Sequence, residues 1–424
     1  MFWLFGIFLI LLALGTPIFI ALAAGSLAYI KFETMIPDFV VLHRMAGGVD
    51  SFPLLAVPFF ILAGNLMNTA GITNRIYDFA VSAVGWMKGG LGHVNVVGSV
   101  IFAGMSGTAV ADAGGLGTIE IKAMRDHGYK DEFAVGITAA SSTIGPIIPP
   151  SLPMVIFGVV GNVSIGQLFA GGLIPGVLMA VVMMFYVTWY AHRHGIGRDQ
   201  VFRMKALGET FLRAIPALFT PALIIGGMSL GIFTPTEAAI AACAWALLLG
   251  ALLYRSLTLK QFYRITLETI ETTASVLIIV AAASLFGWVL TTTRVTEAIA
   301  TGLLSVTDNP LLIMLIINLF LLVVGCFMET IAAISILVPI FMPIILKVGI
   351  DPVQFGVVMV LNLMIGLLTP PVGMVLFVLS KVANISFERT VAGVTPFLVP
   401  LLLVLVLISV FPWFTTALPT LWYR

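Results

Sequence analysis

Apolar runs of about 20 residues recur from one end of the chain to the other, parted by short polar stretches. A run of that length crosses a ~30 Å hydrocarbon core as a helix. The pattern therefore predicts an all-α polytopic membrane protein. Residues 2–31 read as apolar helix interrupted at Gly15-Thr16-Pro17, and 33–50 hold the first polar cluster, a surface-lying arm. Ser51–Asn68 is apolar again, and Thr73–Lys88 is amphipathic. Two stretches, 91–103 and 109–123, flank Gly104–Thr108 and are each too short to span. Together they suit a re-entrant helical hairpin with its tip at the break. Phe133–Ile144 and Leu152–Val160 flank a second break, Gly145–Ser151, and suit one discontinuous span. Leu168–Tyr190 is a full span, and a basic loop (HRHGIGRDQVFRMK) follows it. Helix breakers inside apolar sequence need a cause, because lipid-facing backbone must satisfy every N–H and C=O internally. In transporters such breaks line ion and substrate sites.

The second half repeats this plan. GLLTPPV at Gly366–Val372 mirrors GPIIPPS at Gly145–Ser151. One fixed offset links Gly104 with Gly325, Gly128 with Gly349, Ile144 with Ile365, Gly145 with Gly366 and Pro149 with Pro370. It also links Pro150 with Pro371, Gly172 with Gly393 and Pro175 with Pro396. Thr16-Pro17 and Thr234-Pro235, and Asn162-Val163-Ser164 and Asn384-Ile385-Ser386, match more loosely. The chain reads as a first repeat over 1–195, a cytoplasmic linker over 196–210 and a second repeat over 211–424. Scaffold helices fall at about 1–50 and 211–264, and transport-domain hairpins with their broken helices at about 91–161 and 311–381. An odd number of full spans in the first half puts the second half in the opposite orientation. With the N-terminus outside, only Lys31, Arg44, Arg294, Lys347 and Arg424 of the 20 Lys and Arg fall outside. The positive-inside rule favours that orientation strongly. The two hairpins then enter from opposite faces and their tips meet near mid-membrane.

Composition sharpens this. The chain is 60% hydrophobic and 9% charged, far from the roughly 25% charged of soluble domains. The net charge of +1 gives no reason to expect nucleic acid. The N-terminus has no basic n-region or small-residue cleavage site, which reads as a retained membrane segment. Cys243 and Cys326 lie inside apolar segments and support neither a disulfide framework nor a zinc site. No nucleophile–base or metal constellation stands at enzymatic spacing.

The four breaks carry the candidate chemistry. The first tip holds Ser106, Gly107 and Thr108, with Asp112 one turn on; its partner break holds Gly145, Ile148, Pro149, Pro150 and Ser151. The second tip holds Met328, Glu329 and Thr330; its partner break holds Gly366, Thr369, Pro370 and Pro371. Glycine lets backbones approach, and proline frees a carbonyl one turn back. The product is a set of carbonyls and hydroxyls, hard oxygen ligands suited to Na⁺. Half-helix N-termini aim N–H groups inward and favour an anionic group. No Lys or Arg lies in any break. The bland reading is that Gly and Pro only kink or pack these helices, but two related pairs at matched spacing favour a site. Ser141, Ser142 and Thr143 read as back-bonding within their helix, and Asn65, Asn68 and Asn362 as interhelical hydrogen-bonders.

At GMSGTAVADAGGLGTIEIKAM, IGPIIPPS and IGLLTPPVG the chain resembles the large membrane subunit of the tripartite ATP-independent periplasmic (TRAP) transporters, over its whole length. The resemblance implies an elevator-type secondary transporter, with a fold related to the divalent anion:Na⁺ symporters, that takes up organic acids with two or more Na⁺. It implies three further features: a small four-helix (Q-type) membrane subunit as partner, a periplasmic substrate-binding protein, and residence in the bacterial inner membrane. Carried onto this chain, one Na⁺ site involves Ser106, Thr108, Gly145, Ile148 and Pro149. The other involves Glu329, Thr330, Gly366, Thr369 and Pro370. Substrate candidates are Ser106, Gly107, Asp112, Ser151, Met328 and Glu329. Many members carry Ser where Thr108 stands, a departure that keeps the hydroxyl. The tip looks most like that of members carrying sialic acid, with C4-dicarboxylate carriers as the main alternative. A stand-alone carboxylate:cation symporter and a channel are the competing readings.

Overall fold

The structure is a computed structural model that describes residues 2–69 and 71–423, the side chains of Phe2 and Ser106 excepted. Among the described residues the regular elements are helical, apart from one isolated bridge between Lys88 and Arg198. The first half runs α1 (Phe2–Ala13), α2 (Ile18–Glu33), α3 (Phe39–Val49), α4 (Ala56–Thr69) and α5 (Ile72–Val84). It continues through α6 (Gly90–Ser106), α7 (Ala109–Gly114), α8 (Leu116–Asp126), α9 (Asp131–Ser142), α10 (Leu152–Gly161) and α11 (Ile165–His194). The second half runs α12 (Met204–Ser229), α13 (Pro235–Leu248), α14 (Leu259–Thr292), α15 (Val295–Val306) and α16 (Pro310–Gly325). It ends with α17 (Thr330–Lys347), α18 (Pro352–Gly366), α19 (Met374–Ala383), α20 (Phe387–Val410) and α21 (Trp413–Trp422).

Among the described residues seven helical stretches are long and apolar enough to cross a membrane, from Phe52–Thr69 to Phe387–Val410. The shorter apolar pieces include α6, α10, α16, α18 and α19, which flank the four breaks. Each ends where the sequence supplies a local alternative to the helix. Ser164 and Ser386 cap α11 and α20 by accepting from Gln167 and Arg389 backbone N–H groups. Just before them Asn162 and Asn384 stop α10 and α19 in the left-handed conformation, at φ 53° and 50°. Asn tolerates that region better than most residues. Thr234 and Glu237 form a reciprocal capping box at the start of α13, with Pro235 in the first turn.

Lipid gives little hydrophobic drive for helices to associate, so small residues and interhelical hydrogen bonds decide the contacts. Helices α9 and α20 meet at two glycines: a Cβ on Gly136 would fall 2.2 Å from the Gly393 carbonyl. Asn95 of α6 donates to Thr138 of α9 at 2.7 Å and accepts from Ser141 at 2.6 Å. Asn362 of α18 donates to the Asn318 side chain of α16 at 2.9 Å, and Asn318 donates to Ser409 of α20 at 2.9 Å. The two halves interlock. Helix α10 of the first half packs on α17 of the second, and α19 of the second packs on α7 and α8 of the first. The segment between α11 and α12 is also tied down, with Asp199 accepting from the Leu91 N–H at 2.9 Å and from the Tyr129 hydroxyl at 2.6 Å.

The first break is narrower than its sequence signals. Helix α6 continues through Gly104 to Ser106, and only Gly107 and Thr108 leave the helix. Gly104 serves packing, because a Cβ there would fall 2.7 Å from the Cβ of Pro221 on α12. The hairpin's second arm has its own kink at Gly115, between α7 and α8, whereas α17 runs unbroken.

Candidate functional site

Each hairpin tip seats against the break of the discontinuous helix that follows it. In the first half Gly107 adopts φ 62°, and a Cβ there would lie 2.7 Å from the Pro150 carbonyl oxygen. Both the turn and the close approach require glycine. Thr108 caps α7, its hydroxyl accepting from the Ala111 N–H at 3.3 Å. In the second half α16 ends on Gly325, whose backbone lies against Gly366: a Cβ on Gly366 would fall 2.5 Å from the Gly325 backbone. The Val372 N–H donates to the Cys326 carbonyl at 3.3 Å, a second link between tip and break. Both breaks carry a cis prolyl bond at the same repeat position, Pro149–Pro150 and Pro370–Pro371.

The oxygens at these breaks differ in how far they are already engaged. Ser151 donates to the Pro146 carbonyl and accepts from the Met154 N–H at 3.2 Å, so its hydroxyl is held within its own break as the cap of α10. Glu329 caps α17, its carboxylate accepting from the Ala332 N–H at 3.1 Å. The Thr369 hydroxyl donates to the Ile365 carbonyl at 2.8 Å, which leaves its lone pairs free. The Thr330 hydroxyl is buried without a hydrogen-bond partner. Gly145, Ile148 and Pro149 are buried, with Ile148 against Gly176 of α11. Gly366 is buried and Pro370 is exposed. Met328 is half-buried and lines an apolar cavity with Phe5, Phe286 and Phe320. Asp112 is 1% exposed, enclosed beneath the tip and beside Ser99. The side chain of Ser106 lies outside the described residues.

Ser142 and Thr143 back-bond to the carbonyls three residues earlier, while Ser141 also crosses to Asn95. Asn65 reaches Thr269 of α14 at 3.2 Å, and Asn68 accepts from Thr73 at 3.1 Å. Two further polar residues near the first tip escape the sequence pattern: Glu120, 2% exposed, and Ser99, 1% exposed. An acid at the centre of GTIEIKAM is the available signal, but the neighbouring Lys122 and Arg125 make that stretch look like a solvated helix end.

Helical hairpins seated against helix breaks, in a chain with several candidate spans, define a multi-pass membrane protein. The chain belongs to the tripartite ATP-independent periplasmic transporter family: the family's DctM component matches residues 5–414. It is 48% identical over 417 residues to the sialic acid TRAP transporter large permease protein SiaM of Vibrio cholerae, covering 97% of this chain and 96% of that one. It is 43% identical to the sialic acid TRAP transporter permease protein SiaT of Haemophilus influenzae, covering 98% of this chain and 67% of that one. The crystal structure of the Alcanivorax borkumensis YdaH transporter shares the fold, with a TM-score of 0.62 at 14% identity, covering 90% of this chain and 88% of that one.

Proposed function

We propose that this chain is the large permease subunit of a Na⁺-coupled transporter that takes up an organic acid, sialic acid first among candidates, across the bacterial inner membrane. The observation that carries the reading is the pair of tip–break contacts, Gly107 on Pro150 and Gly325 on Gly366, at matched places in two halves. Each brings two backbone stretches together at breaks whose own residues offer carbonyls and hydroxyls and no Lys or Arg. Na⁺ bound there supplies the missing positive charge. Thr108, Gly145, Ile148 and Pro149 frame one ion; Thr330, Gly366, Thr369 and Pro370 frame the other, with Glu329 beside it. Ser106 belongs to the first set by position. The substrate carboxylate meets the two tips between these ions. The sialic acid preference draws on the names of the two relatives reported above.

The halves are inverted in the membrane, with the N-terminus periplasmic, and the hairpins and broken helices move together as an elevator against the scaffold helices at about 1–50 and 211–264. A small four-helix membrane subunit braces the scaffold, and a periplasmic binding protein delivers substrate. The test is uptake of labelled N-acetylneuraminate by proteoliposomes holding both membrane subunits. Accumulation is expected only with the binding protein outside and an inward Na⁺ gradient. Uptake that ignores Na⁺, or that proceeds without the binding protein, refutes the reading. Uptake of a C4-dicarboxylate in place of N-acetylneuraminate corrects the substrate alone.

A further inference from the structure

Glu120 of α8 lies in the middle of the first hairpin's second arm, and neither of its carboxyl oxygens has a hydrogen-bond partner. The carboxyl presses against α6. A Cβ on Gly98 would fall 2.9 Å from Oε1 and 3.2 Å from a methyl of Leu116. Asp112 on α7 is within electrostatic reach of Glu120, and its carboxyl has Ser99 of α6 beside it. No cation offsets this acid among the described residues. On α8 itself Lys122 is exposed, and Arg125 is engaged by Asp131 at 2.6 Å and by the Ala383 carbonyl. Asp126 on the same helix is exposed. His93 of α6 faces Thr188 at 3.2 Å. Asp131 and Glu132 of α9 face Arg389, and Lys381 of α19 is exposed. Tyr77 of α5 is the remaining titratable group within electrostatic reach.

An ionised carboxylate buried with no partner costs several kcal/mol, on the order of the Born penalty after relaxation, and such a group neutralises instead. Neutralisation can come from a metal cation or from a proton. Hard cations in oxygen coordination take about six ligands or more, whereas Oε1 faces the Gly98 backbone of α6 so closely that a Cβ there would fall 2.9 Å from it. A proton needs no such volume. We propose that Glu120 is a proton-binding site: it stays a neutral carboxylic acid while α8 is packed on α6, and it exchanges its proton only when those helices part. Intramembrane acids are functional candidates by default, and here the bound species is H⁺, held apart from the Na⁺-binding breaks. The timing of exchange rests on the proposed movement of the hairpin; the bound proton does not.

The test is infrared spectroscopy of the full chain in lipid nanodiscs, comparing wild type, Glu120→Gln and Asp112→Asn at neutral pH. Expected is a protonated-carboxyl C=O band that is lost in Glu120→Gln and kept in Asp112→Asn. In wild type the band persists well above pH 4.3, the ordinary Glu value of about 4.3. Gly98→Ala, which drives a methyl onto Oε1, shifts the band. The proposal is overturned if Glu120→Gln leaves the band unchanged, or if the wild-type band disappears near the ordinary carboxylate pH. It is also overturned if adding Na⁺ at constant pH removes the band, which would make the ligand a metal cation. None of these readouts depends on transport, so they stand apart from the proteoliposome test of function.

Discussion

The two helix breaks share a motif, a spacing and a cis prolyl bond, yet their surroundings are opposite. Every residue from Thr143 to Ser151 is buried, while Pro370, Pro371 and Val372 are exposed. The cause lies in how one repeated glycine is used. Gly172 of α11 lies on the first break, where a Cβ would fall 2.1 Å from the Ile147 carbonyl, and Gly176 beside it faces Ile148. Its repeat counterpart Gly393 on α20 turns instead to the start of α9, where a Cβ would fall 2.4 Å from the Glu132 carbonyl. So α11 roofs the first break, and α20 leaves the second uncovered. The two breaks share their Gly-Pro-Pro pattern, and the cover over them differs. The proposed Na⁺ site at the first break is therefore enclosed by protein on the α11 side, and the proposed site at the second is nearer the surface.

The comparison can be broken most decisively at the glycines. Gly172→Ala and Gly366→Ala each place a methyl within 2.1 Å and 2.5 Å of backbone atoms. Side chains cannot yield there, so each should cost at least the ~1–3 kcal/mol of ordinary overpacking, seen as a lowered melting temperature of the purified protein. If Gly172→Ala melts like wild type, α11 is not a tight roof. Accessibility comes next. On a Cys326→Ala background, Val372→Cys should react with a hydrophilic thiol reagent while Ile148→Cys stays protected; equal rates would erase the contrast. Third, Thr369→Ala removes a hydroxyl whose lone pairs are free. It should raise the Na⁺ concentration for half-maximal uptake by about tenfold, a ~1.4 kcal/mol effect, and an unchanged value removes Thr369 from the site. The smallest effect is expected for Thr108→Ala, which loses the cap of α7 at about 1 kcal/mol and should lower the melting temperature slightly.

Much of the architecture is legible in the chain itself. The apolar runs give the spans, and Gly107, Pro150, Gly325 and Gly366 lie where the breakers say the backbone must turn or touch. The polar pairs also behave as their types suggest, with Asn362 on Asn318 and Asn65 on Thr269. Other features depend on neighbours that the chain order does not reveal. Gly104 looks like a turn residue but is set by Pro221, more than a hundred positions away. Glu120 reads as part of a charged helix end because Lys122 and Arg125 follow it, yet it turns to the opposite face, onto Gly98. Ser151, a substrate candidate by sequence, also caps α10, a role that its place in the sequence does not reveal.

The interlocking of α10 with α17, and of α19 with α7 and α8, has a consequence for how the molecule comes into being. The half translated first holds a hairpin whose outer surface is completed only when α19 arrives near the end of synthesis. Until then that surface lacks its partner, as α10 lacks α17. Neither half is a finished object that later docks with a twin; each becomes whole only through the other.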